Sequence, residues 1–144
     1  MVKTKKPRTK KTKSRSEKNI QERYSIDLNI HDKDMALMVS DRRCYMCCKS
    51  TEDEGSHFDI DSVLNSITSC CCDKDDYLLS DRPIKESLFR VILMNGNNPI
   101  TLEEIHGILS DKWALAPYPR DISIKLLKNL IDNADEYGII VKNN

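Results

Sequence analysis

The chain has 144 residues, of which 39% are apolar, and its 23 basic and 23 acidic side chains balance to a formal net charge of zero. That length suits one or two small domains and excludes a large enzyme built around a deep cleft. No apolar run approaches the roughly 20 residues that span a bilayer, and no apolar secretion segment follows the N-terminus, so the expected location is cytoplasmic, or nuclear in a nucleated host.

The zero sum conceals a strong asymmetry. Residues 1–18 hold nine Lys/Arg and one acid, residues 41–81 hold four basic and ten acidic residues, and residues 82–144 hold eight of each. Charge segregated in this way gives the tail and the body different contacts. Segment 1–20 is nearly free of apolar side chains and cannot offset its ordering entropy by burial, which predicts a disordered tail. Its Lys3, Lys5, Lys6, Arg8, Lys10, Lys11, Lys13 and Arg15 would serve as a phosphate-binding arm; the plainer reading is a solubilising tail.

Tyr24, Ile26, Leu28 and Ile30 alternate with polar residues, the period-2 signature of a half-buried strand over 23–30. His31 to Asp34 reads as a polar turn. Met35 to Val39 is too short to assign to strand or helix. Asp59 is placed to cap a helix whose apolar face is Ile60, Val63, Leu64 and Ile67, and this helix runs directly into Cys70-Cys71-Cys72. Asp73 to Asp76 reads as an acidic loop.

Beyond residue 81 the pattern is helical. Asp81 before Pro83 suggests an N-cap with proline in the first turn. Ile84, Leu88, Val91 and Ile92 form one stripe, which stops at Asn95-Gly96-Asn97-Asn98-Pro99. Thr101 and Glu104 are spaced as a capping box opening a second helix through Ile105, Ile108 and Leu109. Ser123 can cap a third, with Ile124, Leu127, Leu130 and Ile131 inward. Gly138 to Val141 reads as a short closing strand.

All six cysteines lie between positions 44 and 72. In a reducing compartment such a cluster reads as thiolate ligands rather than disulfides. Zn²⁺ takes four soft or borderline ligands at tetrahedral corners, and Cys44-Tyr-Met-Cys47 supplies two from one tight turn. The second pair is irregular, because a second C-x-x-C would need a cysteine where Asp73 stands. The preferred set is Cys44, Cys47, Cys70 and Cys72, with Cys71, Cys48 and His57 as alternates. Four thiolates also suit an iron–sulfur cluster, and plain reduced cysteines remain the bland alternative. The three histidines fall in no zinc-hydrolase arrangement, no base is paired with a cysteine, and four glycines make no phosphate loop. These absences argue against an enzyme and against a small-molecule substrate.

Three helices, a turn over 96–101 and a closing strand resemble winged helix-turn-helix domains over about residues 82–141. The phrase Pro99-Ile-Thr-Leu-Glu-Glu-Ile is similar to the capped start of helix two in many of them. The resemblance implies that helix three, about 123–134, is a recognition helix presenting Lys125, Lys128, Asn129 and Asn133, with Arg120 at its entrance. Two features depart from a DNA reader: no second wing strand follows Val141, and the domain is electrically neutral.

The expected class is therefore mainly α with a small β component (α+β). It comprises a disordered basic tail (1–20), a strand with a cysteine-rich metal-binding module (21–81) and a three-helix winged-helix-like domain (82–144). The expected function is a non-enzymatic, nucleic-acid-associated regulator, DNA-binding and transcriptional, with a structural Zn²⁺. Two alternatives stand beside it: an adaptor docking on a polymerase or ribosome through protein contacts, and a thiol or metal redox sensor.

Overall fold

The computed structural model describes residues 21–29, 32–50 and 59–142, so the basic tail lies outside the described residues. The chain is mainly helical with one three-stranded sheet, the coarse class expected from the sequence. Strand β1 (Arg23–Ile26) is followed by helices α1 (Asp32–Ser40), α2 (Tyr45–Ser50) and α3 (Ile60–Ser69), then a 3-10 turn at Cys71–Asp73. Helix α4 (Ile84–Met94), strand β2 (Ile100–Thr101), helices α5 (Leu102–Lys112) and α6 (Ile124–Asp132), a 3-10 turn (Asp135–Tyr137) and strand β3 (Ile139–Lys142) complete it.

The strand read at 23–30 is shorter than its alternation suggested. It ends at Ile26, because the Asp27 carboxylate accepts from the Asn29 N–H and turns the chain. Its place in the sheet could not be read locally. β1 is the central strand, antiparallel to both neighbours, with Tyr24 opposite Ile100 on one side and Val141 on the other. Asn97 extends this ladder: its side-chain amide accepts from the Ile26 N–H (2.7 Å) and donates to the Ile26 carbonyl (3.0 Å). Asn97 has φ +59°, a left-handed value that asparagine tolerates, and it follows Gly96 at φ +70° where α4 stops.

Tyr24 and Ile26 share one core with Met35 and Val39 of α1, Val63, Leu64 and Ile67 of α3, and buried residues of all three later helices. The segments before and after position 81 thus bury their apolar faces together. α4 lies at the centre, with Leu88, Phe89, Val91, Ile92 and Leu93 all fully buried, and it packs against α3, α5, α6 and β1. In α6 the core positions are Leu127 and Ile131; Ile124 is exposed, and Leu130 sits half-buried at the rim.

The caps follow the sequence in part. Thr101 and Glu104 make the reciprocal box, Oγ1 accepting from the Glu104 N–H while Glu104 Oε1 accepts from the Thr101 N–H. Ser123 Oγ accepts from the Leu126 N–H. Asp59 is the N-cap residue of α3, but its carboxylate is taken by the Ser62 hydroxyl rather than a helix N–H. Asp81 is not a cap: Pro83 occupies that position, its carbonyl accepting from the Glu86 and Ser87 N–H groups.

One half-buried ionic group ties the elements together. Glu86 of α4 receives Arg42 through two bonds (2.6 and 3.0 Å), Arg90 at 2.7 Å and the Tyr137 hydroxyl at 3.1 Å. Arg42 also lies over the Phe89 ring, and Arg90 over the ring of Tyr77, whose hydroxyl donates to the Arg90 carbonyl. The stretch between Tyr77 and Pro83 is held from the opposite side. The Trp113 indole N–H donates to the Leu78 carbonyl at 2.8 Å, and Arg120 donates to the carbonyls of Ser80 and Arg82. Residues 77–82 are therefore the joint between the cysteine-bearing segment and the C-terminal helices.

Candidate metal centre

Cys44 immediately precedes α2, and the Cys48 N–H donates back to the Cys44 carbonyl, so residues 44–48 form one helical turn. The x-x spacing then sets the Cys44 and Cys47 thiols on the same side of that turn. Cys70 ends α3 and Cys71 enters the 3-10 turn, which the Asp73 N–H closes by donating to the Cys70 carbonyl. The two segments meet with the Sγ atoms of Cys44, Cys47 and Cys70 all within 4.8 Å of one another. Cys44 and Cys70 approach to 3.9 Å, close to the roughly 3.8 Å edge of a tetrahedron with metal–sulfur bonds of about 2.3 Å.

Besides Cys70, the member of the triple run that approaches this cluster is Cys71. Its buried Sγ accepts from the Cys44 N–H at 3.0 Å and interacts with the thiols of Cys44 and Cys47, although it is not within 4.8 Å of all three neighbours. Cys72, preferred on sequence, points elsewhere: its thiol donates to the Thr68 carbonyl at 3.3 Å and lies near Asp73. The reason is geometric. Within the 3-10 turn that starts at Cys71, successive side chains project about 120° apart, so Cys72 turns away from the side that Cys71 faces. Cys48 makes long contacts to the Ser40 and Arg43 carbonyls. His57 lies outside the described residues.

The protonation pattern suits a shared cation. Burial works to raise Cys44, but the Cys47 N–H and the thiols of Cys71, Cys47 and Cys70 outweigh it and hold Cys44 down to about 7. Burial pushes Cys71 up to about 12, and the neighbouring Cys47 and Cys44 sulfurs raise Cys70. A positive ion among these sulfurs would favour their thiolate forms. The donor set is all sulfur among the described residues, with no carboxylate or imidazole in the cluster. An all-sulfur set of this kind suits a thiophilic ion, with three donors already together and Cys71 as the candidate for a fourth.

The residues nominated for nucleic-acid contact fare unequally. Lys3 to Arg15 lie outside the described residues. Lys125 and Asn129 are exposed on α6. Lys128 is engaged: it pairs with Glu22 at 2.8 Å and Asp132 at 3.0 Å, and these bonds raise its pKa. Arg120 is half-buried, spent on the 80–82 carbonyls and lying over the Trp113 ring. Sequence inspection missed both engagements because their partners lie about 40 and 100 residues away along the chain. It likewise missed the Arg42–Glu86–Arg90 group, of which only the Glu86–Arg90 spacing of four was visible.

No protein-family model, curated protein or solved structure matches the chain. No helix among the described residues is long and apolar enough to cross a membrane.

Proposed function

We propose that the chain is a non-enzymatic, intracellular adaptor that associates with nucleic acid through its basic arm and docks on protein through its folded body. Zn²⁺ held by Cys44, Cys47, Cys70 and Cys71 braces that body. The observation that carries the docking role is the internal use of Arg120 and Lys128. With both cations committed, α6 offers only Lys125 and Asn129 as an uncommitted polar face, and Asp132 stands beside them. A DNA-reading helix needs several cations and amides free to reach phosphates and base edges.

The second reading, a winged-helix DNA regulator, has its own support. β1 lies between β2 and β3, antiparallel to both, and this reading would take it as the strand completing a wing beside β3.

Binding of duplex oligonucleotides of unrelated sequence separates the two. The adaptor reading predicts equal affinities and a steep fall with salt. Deletion of residues 1–18 then flattens the slope by roughly one unit for each phosphate that the arm neutralises. Arg120→Met costs about 1–3 kcal/mol of stability, because it orphans the carbonyls it bridged, and leaves oligonucleotide affinity unchanged. Sequence-dependent affinity that falls with Lys125→Ala or Asn129→Ala would establish the regulator instead.

A further inference from the structure

The inference rests on the proposed metal centre and concerns what keeps its charge inside the fold. A divalent ion with four thiolates carries two net negative charges. Partial burial of such a group is unfavourable without cations close by. A small polar cavity of about 150 Å³ opens beside the cysteine cluster, and its lining includes Cys44 and Cys71 together with Arg42, Arg43, Arg82 and Arg90.

These guanidiniums are not equivalent. Arg42 and Arg90 share the single carboxylate of Glu86, so the three groups together keep one positive charge. Arg43 is bound to the Ser40 side chain and the Cys47 carbonyl. Arg82 is half-buried and donates to the Tyr77 carbonyl at 3.1 Å, and it pairs with no carboxylate among the described residues. The acid in the same lining, Asp76, is exposed. Arg82 is also fixed from behind: Arg120 binds its carbonyl, and Trp113 holds Leu78 four residues earlier. A half-buried cation held on an anchored backbone, lining the same cavity as Cys44 and Cys71 and paired with no acid among the described residues, finds its complement of charge in the thiolate centre.

We propose that Arg82 is the counter-charge of the thiolate–metal centre, a positioning residue that tightens metal binding without touching the ion. Arg120 and Trp113 hold it in place, so the C-terminal helices contribute to metal affinity through the 77–82 joint.

The test is a chelator-competition titration of the full-length chain with Zn²⁺, with Co²⁺ absorption as a record of the ligand set. Arg82→Gln is expected to weaken Zn²⁺ binding roughly 10–100-fold, as loss of an outer-shell partner does. The Co²⁺ bands should keep their tetrathiolate position and intensity, and Arg82→Lys should recover most of the affinity. Wild-type affinity in Arg82→Gln overturns the assignment. So does an Arg82→Lys variant as weak as Arg82→Gln, which would make the bond to the Tyr77 carbonyl, and not the charge, the relevant contact. Failure of the wild-type chain itself to bind either ion overturns the metal reading from which the inference starts, a result distinct from the other two.

Discussion

Cys71→Ser is expected to lose the metal and most of the fold's resistance to heat, whereas Cys72→Ser should retain both. The contrast follows from where the two sulfurs point. Cys71 Sγ sits 3.0 Å from the Cys44 N–H inside the cluster, and Cys72 bonds the Thr68 carbonyl outside it. Losing a ligand exceeds the roughly 10–100-fold that an outer-shell change costs, and structural zinc contributes on the order of 10 kcal/mol to folding in small domains. A serine hydroxyl in the buried Cys71 position adds a polar-burial cost of about 1–3 kcal/mol even without metal. Metal content, measured alongside melting temperature, therefore decides the matter. If Cys72→Ser loses the ion while Cys71→Ser keeps it, the fourth corner belongs to Cys72 and the turn must rearrange on binding.

The second large effect is expected at Glu86. Glu86→Gln leaves the guanidiniums of Arg42 and Arg90 half-buried without their anion, which costs about 3–5 kcal/mol, as breaking a buried ion pair does. That is a large part of a typical domain's total stability of roughly 5–15 kcal/mol. The same residue sets an acid limb. Burial favours the neutral acid, but Arg42 and then Arg90 overcome it and hold the carboxyl at about 2, below its ordinary 4.5. A depressed folded-state value means that the stabilisation is complete above pH 4.5 and is lost as pH falls towards 2. The loss over that interval is about 3 kcal/mol at 1.36 kcal/mol per unit. Urea titrations of wild type and Glu86→Gln between pH 7 and pH 2.5 should therefore converge at the acid end. A constant gap, or a gap under 1 kcal/mol at pH 7, would show that the group is not the anchor its geometry suggests.

What could be read from the sequence was local, and what could not was long-range. The capping box at Thr101 and Glu104, the Ser123 cap and the apolar stripes of α3, α4 and α5 are fixed by spacings of three and four residues, which local chemistry dictates. So is the Cys44–Cys47 pair. The role of β1 was invisible, because nothing in Arg23 to Ile26 states that its partners are Ile100 and Val141. The choice within Cys70 to Cys72 was equally hidden: composition is blind to which sulfur a 3-10 turn aims inward. Arg120 and Lys128 illustrate the same limit with opposite effect. The sequence places Lys128 on the outward face of helix three and Arg120 at its entrance, and tertiary partners at Glu22 and Arg82 engage them instead. Asp81 shows a local rule overridden locally, since Pro83 itself takes the cap position.

A sulfur-bound divalent ion is proposed to brace a single core formed from both halves of the chain. Native mass spectrometry with elemental analysis, on untagged protein before and after chelation, tests it most directly. One zinc per chain is expected, and its removal should loosen the 77–82 joint and broaden the charge-state distribution to that of an unfolded chain. A chain that carries no metal and keeps the same compact distribution would contradict it, as would one that carries iron with visible absorbance.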